Sequence, residues 1–149
     1  MNKPVTTLAV VLLALASPIL FAQQADGSKA PATKAPAFKA HVLTTSELDA
    51  LLAKPADLLL IDVRRPDEVT SVGGFPVYLS IQLSELEKSL AWIPKGRTIV
   101  TVSNHAARAG KAADLLASKG FKVAGAVGAD TYEKDGGKIT HLKPPAPKT

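Results

Sequence analysis

The 149-residue chain contains no cysteine. It therefore forms no disulfide bond, carries no lipid on an N-terminal cysteine, and has no thiolate that could act as a nucleophile or a metal ligand. Aromatic residues are also rare, at 5% of the sequence with a single tryptophan. Aliphatic side chains must consequently supply most of the core of any folded domain.

The chain also lacks an excess of one charge within its predicted folded part. The net charge of the whole chain is +5, but residues 38–142 hold 13 lysine and arginine residues against 12 aspartate and glutamate residues. The excess positive charge lies in flanking segments, at Lys3, Lys29, Lys34, Lys143 and Lys148. Nucleic-acid binding requires basic residues clustered on the folded part, so the composition argues against a nucleic-acid partner.

The first 22 residues form the one long hydrophobic run. A single charge, Lys3, precedes an uncharged stretch that extends to Ala22 and contains Pro18 near its end. This order predicts a secretory signal peptide cleaved after Ala22, and a periplasmic or secreted mature protein without stable membrane insertion. The alternative is an uncleaved N-terminal membrane anchor, because the run barely reaches the length that spans a bilayer.

Two segments of low complexity flank the predicted domain. Residues 23–37 are rich in alanine, proline, lysine and glutamine, a composition that predicts a flexible tether. Residues 143–149, Lys-Pro-Pro-Ala-Pro-Lys-Thr, form a proline-rich tail that we expect to be extended and polyproline-like. The folded domain is therefore predicted to span residues 38–142.

Helix and strand patterns alternate within this domain. Thr44 and Glu47 form a capping box at the start of a first helix, and Gly120 is typical of the residue that follows a helix. Apolar and β-branched runs predict strands over residues 57–62, 77–81, 98–102 and 123–127. Further helices are predicted from residue 65, over residues 83–92 and 108–119, and a last short helix or loop lies between residues 128 and 136. The alternation predicts an α/β domain with a mostly parallel central sheet flanked by helices.

The junction after the third predicted strand is the candidate functional site. A strand, a short loop and a helix N-terminus meet there and would direct several backbone N–H groups at one point. Ligands of parallel α/β sheets bind beyond the carboxyl ends of the strands, where this loop lies. The residues predicted to bind a small inorganic anion are Ser103, Asn104, His105, Ala106, Ala107 and Arg108. Arg108 would close the site, because an arginine at a helix N-terminus needs an anion or a carboxylate to offset its charge.

Several segments of the chain, taken in order, resemble the rhodanese-like domain family. The similar segments are Leu60 to Glu68, Gly73 to Leu83, Ile99 to Leu116, and Gly120 to Val123 followed by Gly128 and Tyr132. The third of these is similar to the family's active-site strand, loop and helix, with Arg108 at the position of the loop-closing arginine. The resemblance covers nearly all of residues 38–142 and implies the rhodanese-like fold.

The resemblance implies sulfurtransferase chemistry only where a cysteine begins the loop, and Ser103 stands at that position. An oxygen atom cannot hold sulfane sulfur as a persulfide, and an alcohol needs a dedicated base to become a nucleophile. The chain is therefore predicted to be inactive as a sulfurtransferase, to need no cofactor, and to act as an anion-binding or protein-interaction module for an envelope protein. The alternatives are a residual or partner-dependent sulfurtransferase-type enzyme and a weak Ser-dependent hydrolase.

The three histidines give little support to catalysis or metal binding. His105 lies two residues after Ser103, but no acid in the local sequence would orient it as a base. His41 and His141 stand at the two ends of the domain without metal-ligand spacing, so no metal site is expected.

Four other prominent side chains are predicted to be structural. Asp62 and Arg64 are expected to tie the end of a strand to neighbouring loops. Trp92 follows an apolar helical stripe and is expected to be in the core or half-buried, and Tyr132 is expected to pack over the loop region.

Overall fold

The computed structural model describes residues 37–141. The predicted signal peptide, all but the last residue of the predicted tether, and the proline-rich tail lie outside the described residues. Within residues 37–141, no helix has the length and apolar character needed to cross a membrane.

Strands and helices alternate along the described chain as the sequence predicts. The strands are β1 (Leu58–Asp62), β2 (Leu79–Ser80), β3 (Thr98–Ser103) and β4 (Val123–Gly128), and the helices are α1 (Thr45–Leu52), α2 (Pro66–Val72), α3 (Ala107–Ser118) and α4 (Ala129–Lys134). The four strands form one all-parallel sheet in the order β2-β1-β3-β4. The prediction of an α/β domain with a parallel sheet flanked by helices is confirmed.

The sheet separates two hydrophobic cores because successive side chains of a strand point to opposite faces. On one face, Leu60 of β1 and Val100 of β3 pack in a cluster with Leu48 of α1. On the other face, Ile61 and Ile99 pack in a cluster that includes residues of α3. Both central strands are therefore buried on both sides, which explains their continuous apolar sequence.

Helix α3 approaches its neighbours closely because its buried side is made of small residues. The buried residues are Ala109, Gly110, Ala112, Ala113 and Leu116. A Cβ atom added to Gly110 would overlap the ring of Phe38, so this glycine is required by the close approach of the two segments. The helix ends before Gly120, whose φ of +79° confirms its prediction as the glycine that follows the helix.

The predicted helix over residues 83–92 is wrong. The structure has turns over residues 83–89 and a short 3-10 helix at Leu90–Trp92. The backbone bonds of this segment span mostly three residues, which is the pattern of turns and 3-10 helix rather than of an α-helix. The apolar stripe therefore does not continue to Trp92, which is 83% exposed rather than buried.

Candidate functional site

The loop from Ser103 to Arg108 lies at the carboxyl end of β3, in the centre of the sheet. Ser103 is the last residue of β3 and pairs with Gly128 at the end of β4. A Cβ atom on Gly128 would lie 2.9 Å from the Ala106 nitrogen and 2.9 Å from the Asn104 carbonyl oxygen. The loop backbone therefore rests directly on this glycine, and no other residue type leaves room for it.

The loop turns into α3 with a compact backbone. The Ala107 N–H donates to the His105 carbonyl, and the Gly110 N–H donates to the Ala106 carbonyl over 2.6 Å. Ala106 has a φ of +38°, in the left-handed region that non-glycine residues rarely adopt. This tight turn starts α3 at Ala107, one residue earlier than predicted.

Ser103 is held as a structural cap of α3. Its side-chain oxygen accepts the N–H of Ala109 over 3.0 Å, and the residue is only 1% exposed. The first N–H groups of a helix have no partner within the helix, so the hydroxyl satisfies a donor that would otherwise be buried and unpaired. The Ser103 hydroxyl is thus engaged by the backbone and removed from solvent.

A polar network links the ends of β1 and β3 and the start of α2. Arg64 and Asp62 are both fully buried, and their ion pair joins Arg64 Nη2 to Asp62 Oδ2 over 2.7 Å. Arg64 Nη1 also donates to Asn104 Oδ1 over 3.0 Å, and Asn104 Nδ2 donates to Glu68 Oε1 over 3.1 Å. Asp62 and Arg64 therefore tie a strand end to the loop, as the sequence predicts.

Glu68 completes the network by pairing with Arg108. The guanidinium makes two parallel hydrogen bonds, from Nη1 to Oε2 over 2.8 Å and from Nη2 to Oε1 over 2.5 Å. The bonds from Arg108 and from the Arg65 backbone N–H lower the pKa of Glu68 to about 2. Glu68 also raises the pKa of Arg108. Glu68 is therefore ionised at neutral pH and offsets the charge of Arg108 at the helix N-terminus.

His105 has an acidic partner, Asp130, that is distant from it in the sequence. Its Nδ1 lies 3.2 Å from Asp130 Oδ2, although the His105 side chain is 78% exposed. The Asp130 N–H donates to the Asn104 carbonyl over 3.2 Å, which fixes the start of α4 against the loop. The hydrogen-bond partner of the Ser103 oxygen is the Ala109 N–H, and no bond joins Ser103 to His105 within the described residues.

Tyr132 and the two remaining histidines make contacts away from this polar network. Tyr132 is buried, its ring centre lies 5.3 Å from that of Phe75, and its hydroxyl donates to Asp49 Oδ1 over 2.6 Å. His41 and His141 contact Glu47 and Glu133 in separate exposed pairs. No group of three or more potential metal ligands is found among residues 37–141.

Two of the residues that define the site were not assigned to it from the sequence. From the sequence, Glu68 belongs to a segment that resembles the rhodanese-like family, without a role in the site, and Asp130 has no predicted role. A signal for Glu68 was present, because an arginine at a helix N-terminus requires a nearby carboxylate. No sequence signal pointed to Asp130, because its approach to His105 depends on the pairing of β3 with β4.

Comparison with known proteins identifies the fold. No protein-family model and no curated protein matches the sequence. Solved structures do match: a rhodanese-related protein from Thermoplasma volcanium aligns with a TM-score of 0.58 and 18% identity over 69% of this chain and 98% of that one. A rhodanese-like domain protein from Staphylococcus aureus aligns with a TM-score of 0.56 and 20% identity over 68% of this chain and 98% of that one.

A larger enzyme shares the same fold over part of its length. Thiosulfate sulfurtransferase from Pseudomonas aeruginosa aligns with a TM-score of 0.57 and 24% identity over 68% of this chain. The alignment covers only 20% of that protein. Together with the all-parallel sheet and the order of its helices, these similarities assign the architecture: residues 37–141 have the rhodanese-like fold.

Proposed function

We propose that this chain is an exported rhodanese-like protein that binds a small inorganic anion at the loop 103–108 and does not transfer sulfur. The observation that carries the proposal is the state of Ser103. Its oxygen is buried and bonded to the Ala109 N–H, and no base among residues 37–141 contacts it. A side chain in this environment serves to shape the loop. The proposed donors to the anion are the other backbone N–H groups of the loop, because that of Ala107 already donates to the His105 carbonyl.

Two enzymatic alternatives receive less support. A Ser-dependent hydrolase needs a base on the hydroxyl, but His105 bonds to Asp130 and its ring is turned to solvent. A partner-dependent sulfurtransferase would need the partner to supply the cysteine. The described residues offer no observation that favours such a partner.

We expect no transfer of sulfur from thiosulfate to cyanide above the rate without protein. An oxygen atom at position 103 cannot form the sulfur–sulfur bond that carries the transferred atom. The rate of thiocyanate formation should be the same for the natural protein and for Ser103→Ala. A rate that exceeds the blank and disappears in Ser103→Ala would contradict the proposal.

We expect sulfate, phosphate or thiosulfate to stabilise the domain more than chloride does at equal ionic strength. Stabilisation by about 1 kcal/mol requires a ligand concentration of about four to five times Kd, so millimolar binding is measurable by thermal denaturation. Arg108→Ala should remove most of this effect. Glu68→Gln should enlarge it, because the bound carboxylate competes with the anion for the same guanidinium.

The matched control for this experiment is Lys111→Ala, which removes a positive charge from the exposed side of the same helix. Its response to anions should equal that of the natural protein. Equal stabilisation of all variants would mean a general salt effect on the surface, and the anion-binding proposal would be rejected.

Export is a separate part of the proposal. The single charge at Lys3 and the following uncharged run support a cleaved signal peptide. The intact mass of the protein from the periplasmic or secreted fraction should correspond to a chain that begins at or near Gln23. Recovery of the full-length chain only in the membrane fraction would favour the uncleaved anchor.

A further inference from the structure

An apolar groove of about 460 Å³ lies at the opposite end of the sheet from the loop 103–108. Its lining includes Leu58, at the start of β1, and Arg97, which directly precedes β3, whereas Ser103 ends β3. Six strand residues span about 20 Å, so the groove is separate from the candidate anion site.

The groove contains most of the exposed large hydrophobic side chains of the described domain. Four large hydrophobic side chains are exposed in residues 37–141, and three of them line the groove: Val77, Tyr78 and Trp92. Val77 and Trp92 are at least 80% exposed. An exposed cluster of this kind on a domain with few aromatic residues indicates a binding surface.

The groove exists because β2 is too short to cover β1. β2 pairs with β1 only at Ile61 and Asp62, so residues 58–60 have no strand beside them on that side. Arg97 Nη1 donates to the Leu58 carbonyl oxygen over 3.3 Å and so occupies one of the uncovered acceptors. The lining of the groove also includes three prolines, Pro55, Pro76 and Pro94.

We propose that this groove binds the proline-rich segment 143–149 of the same chain. Pro144 and Pro147 are spaced as in ligands that adopt the polyproline II conformation and dock in aromatic-lined grooves. Such a segment has little conformational freedom to lose and places its proline rings against aromatic faces. Tyr78 and Trp92 supply those faces here.

The described chain ends next to the segment that leads into the groove. Thr140 pairs with Gly74 in an antiparallel bridge, with N–H to oxygen bonds of 2.7 and 2.9 Å, and the groove begins two residues after Gly74, at Pro76. The bridge is antiparallel, so docking of the segment requires the chain to reverse towards Pro76 after His141. Six residues in the polyproline II conformation span about 19 Å, which is the reach that residues 144–149 would have in the groove.

The partners that the groove offers to the lysines of the segment are aromatic rings, because no acidic residue of the described domain lines it. Lys143 and Lys148 flank the prolines, and the face of a tryptophan or tyrosine ring attracts an ammonium group. Arg97 is the single charged residue that lines the groove, and its guanidinium is directed to the Leu58 carbonyl.

The single tryptophan of the chain, Trp92, makes the test direct. We compare the tryptophan emission and acrylamide quenching of the purified protein with those of a chain that ends at His141 and of Pro144→Ala/Pro147→Ala. Docking should shift the emission of the natural protein to shorter wavelength by several nanometres and lower its quenching constant at least twofold relative to both variants. Ala146→Ser, which keeps Pro144 and Pro147, is the matched control and should behave as the natural protein.

A second measurement removes any effect of the truncation on folding. A synthetic peptide of residues 142–149, added to the chain that ends at His141, should restore the shift. The same peptide with Pro144 and Pro147 replaced by alanine should not. Identical emission and quenching in all proteins would overturn the proposal. A shift that depends on protein concentration would also overturn it, because the occupant would then be the tail of a second copy.

Discussion

Replacing Asp62 with alanine is expected to destabilise the domain by about 3–5 kcal/mol. The substitution leaves the guanidinium of Arg64 in a fully buried position without a counter-charge. The cost of an unpaired buried charge is far larger than the value of the ion pair itself, and it approaches the whole stability of a small domain. Urea denaturation followed by circular dichroism measures the change directly.

The chain offers an exposed pair as a matched control. Asp67 bonds to the side chain of Arg65 at the surface, where both groups remain solvated, so Asp67→Ala should have little effect on unfolding. The double variant Asp62→Ala/Arg64→Met should be more stable than Asp62→Ala alone, because it removes the unpaired charge. Equal effects of Asp62→Ala and Asp67→Ala would refute the assignment of a buried ion pair.

Replacing Gly128 with alanine is expected to destabilise the domain by about 1–3 kcal/mol and to displace the loop 103–108. The added Cβ would meet backbone atoms of Asn104 and Ala106 at 2.9 Å, and backbone atoms cannot move aside as a flexible side chain can. The His105–Asp130 contact should be lost with the displacement. Thermal denaturation measures the first effect, and the chemical shifts of the loop amides report the second.

Gly96→Ala is the control for this substitution. No atom lies within 4 Å of a Cβ added to Gly96, and the residue is in an exposed turn, so the variant should be as stable as the natural protein or slightly more stable. A Gly128→Ala protein with the stability and loop spectrum of Gly96→Ala would mean that the loop does not rest on Gly128 as described.

Local sequence patterns predict the start of α1 and the position of β1 correctly. The capping box of Thr44 and Glu47 starts α1, and the apolar run before Asp62 forms β1, since both signals act within a few residues. The prediction for residues 83–92 is wrong because apolar spacing alone does not distinguish an α-helix from the turns and 3-10 helix that form there, whose backbone bonds span mostly three residues. The same apolar spacing predicts that Trp92 is in the core or half-buried, whereas its side chain is exposed.

The sequence by itself determined that the domain is an α/β fold and that an alcohol, the side chain of Ser103, stands where the loop after β3 begins. Periodicity and residue chemistry settle such properties because they depend on one segment at a time. Only the tertiary structure decided that Arg108 pairs with Glu68, 40 positions away, and that Asp130 meets His105. Those contacts depend on which strands lie side by side, and the order β2-β1-β3-β4 is a property of the whole domain rather than of any one segment.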